Sequence, residues 1–172
     1  MNLLLIFISI FSNFVMASEY DEPSLFSNEV KIRVSGIVCS FCAYGVERNL
    51  SELDFLDKTK FGDDGVLIDI GEQLITIATD SSKKVNFSKV CQAILKGGYE
   101  PQKFYLNVSG KIIERDGKIL LTDNTSTQTF QLHENEAQKL VGSTVNNLKV
   151  IVGLSEIDPL EEGNIVRASL SK

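Results

Sequence analysis

Between residues 30 and 106 the apolar residues of this chain change their spacing repeatedly, and the order of those changes constrains the fold more than any single motif. Val30-Lys31-Ile32-Arg33-Val34 alternates apolar and polar residues, the period of a half-buried strand. Val46, Leu50 and Leu53 then follow at roughly i, i+4 and i+7, one face of a helix. Phe61-Gly62-Asp63-Asp64-Gly65 is a turn-rich break. Residues 66–70 and 74–79 read as two strands around Gly71-Glu72, the spacing of a hairpin. Asn86 stands where an N-cap belongs, and Phe87, Val90, Cys91, Ile94 and Leu95 form one apolar helical stripe that Gly97-Gly98 ends. A last strand follows Pro101 and begins near Lys103.

The order β-α-β-β-α-β is the split βαβ arrangement of a ferredoxin-like sandwich. Beyond it the texture changes. Strand patterns cover 104–114, 118–122 and 129–132, with an Asp116-Gly117 turn and a Thr/Ser-rich turn between them. A short helical pattern runs from 135 to 141 and stops at Gly142, and strands near 148–152 and 165–170 flank a turn region with Asp158-Pro159 and Gly163. Three strands, a helix and two strands is the order of an OB-like barrel. The expected fold class is therefore α+β, a ferredoxin-like βαββαβ sandwich over 30–106 followed by a small OB-like five-stranded β-barrel over 107–172. Residues 104–108 are placed to serve both units.

The first residues read as an address. Residues 3–14 are almost wholly apolar and uncharged, and Val15-Met16-Ala17 precedes the polar run Ser18-Glu19-Tyr20-Asp21-Glu22. The apolar stretch is shorter than the about 20 residues a membrane-spanning helix needs, and Val-x-Ala fits the small-residue rule for cleavage. The expectation is a signal peptide over 1–17 and a periplasmic or secreted protein. Residues 18–29, acidic and holding Pro23, read as a disordered lead-in. The net charge of −6 argues against nucleic-acid binding, which rewards clustered Lys and Arg. The chain holds three cysteines, so it is no disulfide-dependent scaffold.

Two of those cysteines carry the chemistry. Gly36-Ile37-Val38-Cys39-Ser40-Phe41-Cys42 sits where the first strand gives way to the first helix. This placement presents both sulfurs at a helix N-terminus, where unpaired N–H groups and the helix dipole favour thiolates. Thiolates bind soft metals and carry out redox chemistry.

From 30 to 106 the chain resembles the heavy-metal-associated domain of copper chaperones, metal-pumping ATPases and periplasmic mercury-binding proteins. The resemblance rests on Gly-hydrophobe-x-Cys-x-x-Cys at 36–42, on Val46-Glu47 in the following helix, and on Gly98-Tyr99 after the second. Ile37 stands where the family usually has Met, and 57–65 is longer than usual. The resemblance implies that Cys39 and Cys42 are the metal ligands, and that Tyr99 lies near their loop. Two thiolates suit the near-linear coordination that Cu(I) and Hg(II) accept, whereas a structural zinc site usually takes four ligands. The expected cargo is a heavy-metal ion, Cu(I) favoured over Hg(II) or Zn(II).

The implied partner is a metal donor or acceptor protein, a membrane metal transporter among the candidates. No nucleic acid, no membrane span after cleavage, a monomer and no enzymatic activity complete the expectation. Two other readings of the cysteine pair stay open, a thiol–disulfide oxidoreductase and a structural disulfide. Against the oxidoreductase, Val38 rather than an aromatic residue precedes Cys39, and the only prolines after the motif are Pro101 and Pro159. Ala43 stands where c-type haem attachment needs histidine. Cys91 falls on the apolar stripe as a packing residue, and His133, among Glu134, Asn135 and Glu136, as a surface one.

Overall fold

The computed structural model describes residues 21–157 and 165–171. The signal-peptide expectation, the Asp158-Pro159 turn and Gly163 lie outside the described residues. Among the described residues the fold is mixed α+β, with a closed five-stranded barrel and three α-helices. In chain order the elements are β1 (Glu29–Ser35), α1 (Ser40–Ser51), β2 (Val66–Asp69), β3 (Leu74–Ala78), α2 (Phe87–Lys96) and β4 (Glu100–Arg115), then β5 (Lys118–Asp123), β6 (Thr129–Leu132), α3 (Glu134–Ala137), β7 (Thr144–Gly153) and β8 (Ile165–Leu170).

The strands form one sheet in the order β2-β3-β1-β4-β5-β6-β8-β7, and β7 returns to pair with β4. β4 through β8 thus close into the barrel, while β2, β3 and β1 extend from it. In the open part every neighbour is antiparallel, with Ile32 opposite both Ile75 and Phe104. In the barrel β6 and β8 run parallel, a pairing made possible by the crossover through α3 and β7.

Alternation sets the core. Val30, Ile32 and Val34 of β1, Ile75 and Ile77 of β3, and Phe104 of β4 are buried with Val46 and Leu50 of α1 and Val90 and Ile94 of α2. Gly97 permits the close helix contact: a Cβ there would stand 2.5 Å from Val46 Cγ2. The barrel interior holds Ile112, Leu121, Phe130, Val150, Val152 and Ala168. Phe87 joins the two interiors, with its ring edge-on to Phe104 at 5.3 Å and to Phe130 at 6.4 Å between centroids.

β4 is the shared member. Its first half pairs with β1 from Glu100 to Leu106, its middle with β7 from Lys103 to Lys111, and its end with β5 from Gly110 to Arg115. The strand runs unbroken through 106 and 107. At Gly110 a Cβ would stand 1.9 Å from the carbonyl oxygen of Thr122, so glycine alone lets β5 approach there. β7 starts at Thr144, before the expected 148. The register shifts between Val108 and Gly110, and Ser109 Oγ accepts from the amide of Asn147, whose φ of 54° bends the strand.

Residues 21–28 have no regular secondary structure, yet they are anchored. Arg33 donates to the carbonyl of Asp21, Asn107 donates to that of Leu25, and Lys31 lies over the ring of Phe26. Glu22 bonds Lys149 at 2.9 Å and the hydroxyl of Ser171. This strap ties β1 to the barrel and to Ser171, the residue after β8.

Candidate functional site

The cysteine loop is built from its two ends. At the end of β1, Gly36 has φ of +95°, a left-handed conformation that favours glycine. The ring of Tyr99 packs there, 3.5 Å from where a Cβ of Gly36 would stand. Tyr99 therefore lies at the base of the loop. Ile37 turns back into the core at 1% exposure.

Gln73, in the turn between β2 and β3, holds Ile37 by its backbone. Its Oε1 accepts from the Ile37 amide at 3.1 Å, and its Nε2 donates to the carbonyls of Ile37 at 2.5 Å and Ile70 at 2.6 Å. Gln73 itself adopts φ of 50° while its carbonyl accepts from Val34. Nothing in the spacing of the sequence marked this residue, because a polar turn residue leaves no periodic trace.

Cys39 is the N-cap of α1. Its backbone is extended, its carbonyl accepts the first helical bond from Ala43, and its Sγ accepts from the amide of Cys42 at 3.2 Å. Sulfur here does what a Ser or Asp oxygen does at most helix starts. The first turn contains no acidic residue, so the positive end of the helix is not neutralised from within. Cys39 and Cys42 have Cα atoms 5.3 Å apart and are joined by a disulfide. The structure thus brings the two predicted ligands together in their oxidised form.

The other candidates stand apart from this loop. Cys91 is half-buried against the core, and burial pushes its thiol up to about 11, so it stays protonated and unreactive at neutral pH. His133 is exposed at the start of α3, with Nε2 2.7 Å from a carboxylate oxygen of Glu156. Asp64, in the turn-rich break before β2, accepts from the amide of Val66 and faces Glu47 of α1. The hydrogen bond with Asp64, together with burial, holds the Glu47 carboxyl above its ordinary range.

A polar depression of about 60 Å³ lies where the open sheet meets the barrel, with Asn28, Asp80, Asn107 and Asp123 in its wall. Two of its carboxylates are engaged, Asp80 by Ser82 and Lys83 and Asp123 by Thr125 and Ser126. Among the described residues no group of three or more His, Cys, Asp or Glu side chains is arranged to hold a metal ion, and the cysteine loop brings together two. No helix among them is long and apolar enough to cross a membrane. No family model matches the chain, and no curated protein or solved structure matches it.

Proposed function

We propose that this is an exported protein that sequesters or transfers a soft metal ion through the reduced Cys39–Cys42 pair. In this reading residues 30–106 are a ferredoxin-like heavy-metal-associated unit, and 107–172 are an OB-like barrel that positions it. The observation that carries the reading is the capping geometry. A sulfur that accepts a helix N-terminal amide, in a first turn without an acidic residue, is in a setting that favours thiolate over thiol. Two such thiolates suit Cu(I), or Hg(II) in its place. Transfer would proceed by ligand exchange, an incoming thiolate binding the ion as Cys39 or Cys42 releases it. Acid weakens such binding because protons compete for the sulfurs.

The test is an anaerobic titration of the reduced chain, begun at Ser18, with Cu(I) against a competing chelator. One equivalent should bind tightly and be lost when both cysteines become serine, with the fold retained. Undiminished binding by the double variant would overturn the site.

The disulfide itself favours a second reading, a thiol–disulfide oxidoreductase using the same pair. Failure to bind Cu(I), together with rapid exchange of the Cys39–Cys42 bond with glutathione, would select it.

A further inference from the structure

The path from β1 to Cys39 is held at one residue. Ile37 has its side chain in the core, its N–H on Gln73 Oε1 and its C=O on Gln73 Nε2. Val38 alone separates it from Cys39, whose carbonyl and Sγ both accept amides of the first turn of α1. Where Cys39 stands relative to Cys42 therefore depends on where Ile37 is held. Gly36, just before, has the freest backbone of this path, so the loop has a hinge at its base unless something clamps it.

The arm that clamps it is itself fixed. Gln73 lies in the turn between β2 and β3, and β1 fastens that turn twice. The amide of Val34 donates to the Gln73 carbonyl at 3.0 Å, and the buried Arg33 donates to the carbonyl of Glu72. A further bond from Gln73 Nε2 to the carbonyl of Ile70 sets the direction of the side-chain amide. Movement of Ile37 away from the turn breaks two hydrogen bonds at once, one of each polarity.

We propose that Gln73 is the positioning residue of the Cys39–Cys42 pair: by clamping Ile37 it sets the effective concentration of one sulfur at the other, and so how strongly the pair closes as a disulfide or on one soft metal ion. The proposal rests on the reading of this pair as the functional site and deepens it. Gln73 acts through the backbone of Ile37. Two sulfurs held in place lose little freedom when they close, whereas two on a loose loop lose more.

The test equilibrates the chain begun at Ser18 with reduced and oxidised glutathione at pH 7, without metal. One glutathione thiolate attacks a sulfur of the Cys39–Cys42 disulfide, and the other cysteine leaves as a thiolate. A second glutathione thiolate then attacks the mixed disulfide, oxidised glutathione leaves, and both cysteines are reduced. Two electrons pass from the two glutathiones to the pair. The constant for this exchange measures the effective concentration of the pair.

Gln73→Asn keeps an amide and suits the left-handed φ of 50°, but it is one carbon too short to grip both groups of Ile37. Gln73→Glu keeps the reach, yet at pH 7 its carboxylate donates nothing and faces the carbonyls of Ile37 and Ile70. In each the effective concentration should fall about tenfold, equivalent to about 30 mV. Gln128→Asn shortens the corresponding clamp on Val85 and should leave the value within about twofold of the parent chain.

Parent values in both Gln73 variants would overturn the proposal. So would an equal fall in Gln128→Asn, which would trace the effect to general loosening of the fold. A failed Cu(I) titration beside a fall confined to the Gln73 variants would sink the metal reading and support the positioning role. One tight equivalent of Cu(I) beside unchanged exchange constants would do the reverse.

Discussion

Gln73 and Gln128 perform the same task at two places. Each side-chain amide pairs with both the N–H and the C=O of one residue on another segment, Gln73 with Ile37 and Gln128 with Val85, as a strand neighbour would. Gln128 is 2% exposed, so its bonds to Val85 are sealed from water and fix the β5–β6 turn against the approach to α2. Gln73→Ala should cost about 1–3 kcal/mol, because the Ile37 amide loses its acceptor in a partly buried place. Urea unfolding would read that loss, and amide exchange should speed up at Ile37 but not at Val150. Equal protection at Ile37 in the variant would show that Gly36 and Tyr99 hold the loop unaided. The cysteines and the cap at Asn86, whose side chain accepts from Lys89, were legible because residue type and spacing announce them. The two glutamines were not. Their role depends on which distant backbone they meet, and a φ of 50° at Gln73 leaves no mark on composition.

At the scale of elements, period carried most of the information. β1 and α2 show the alternation and the stripe from which they were read, β3 and β5 are buried as short consecutive runs, and each of the four falls close to its expected residues. The ends were harder to read. β4 begins at Glu100 rather than near Lys103, across a proline, because Ser35 of β1 supplies a partner there. The helical pattern expected over 135–141 divides into α3 and a 3-10 turn at Gln138–Leu140. The contact between α1 and α2 was invisible as well, although Gly97 was correctly read as a helix stop. Its hydrogen also makes room for Val46. Gly97→Ala should therefore destabilise the fold by about 1–3 kcal/mol through forced separation of the helices. Val46→Ala in the same chain removes the opposing methyl, so the double variant should lose less than the two single losses together in a urea-unfolding cycle. Strict additivity would mean that the helices adjust without strain.

For the whole molecule, acid is the informative perturbation. The hydroxyl of Ser171 and the ammonium of Lys149 hold the Glu22 carboxyl below its ordinary range. Hydrogen bonds from Thr59 and Ser82 do the same for Asp57 and Asp80. Burial pulls Asp123 upward, but the bonds from Ser126 and Thr125 outweigh it. A carboxyl lowered by folding adds stability above its unfolded pKa and loses it as pH falls through the folded one. Glu47, raised beside Asp64, has the opposite sign: its contribution is present at low pH and lost as pH rises through its folded pKa. The lowered group dominates, so the urea midpoint should drop as pH falls from about 6 to below about 4. A flat or rising midpoint would refute this. The strap that contains Glu22 also bears on how the chain is made. Its carboxylate meets Lys149 and Ser171, 127 and 149 residues further on. During synthesis Glu22 must wait, without these partners, until the chain as far as Ser171 has emerged. The strap is therefore a seal that closes long after its own residues are made, and a chain cut short before Lys149 cannot set it.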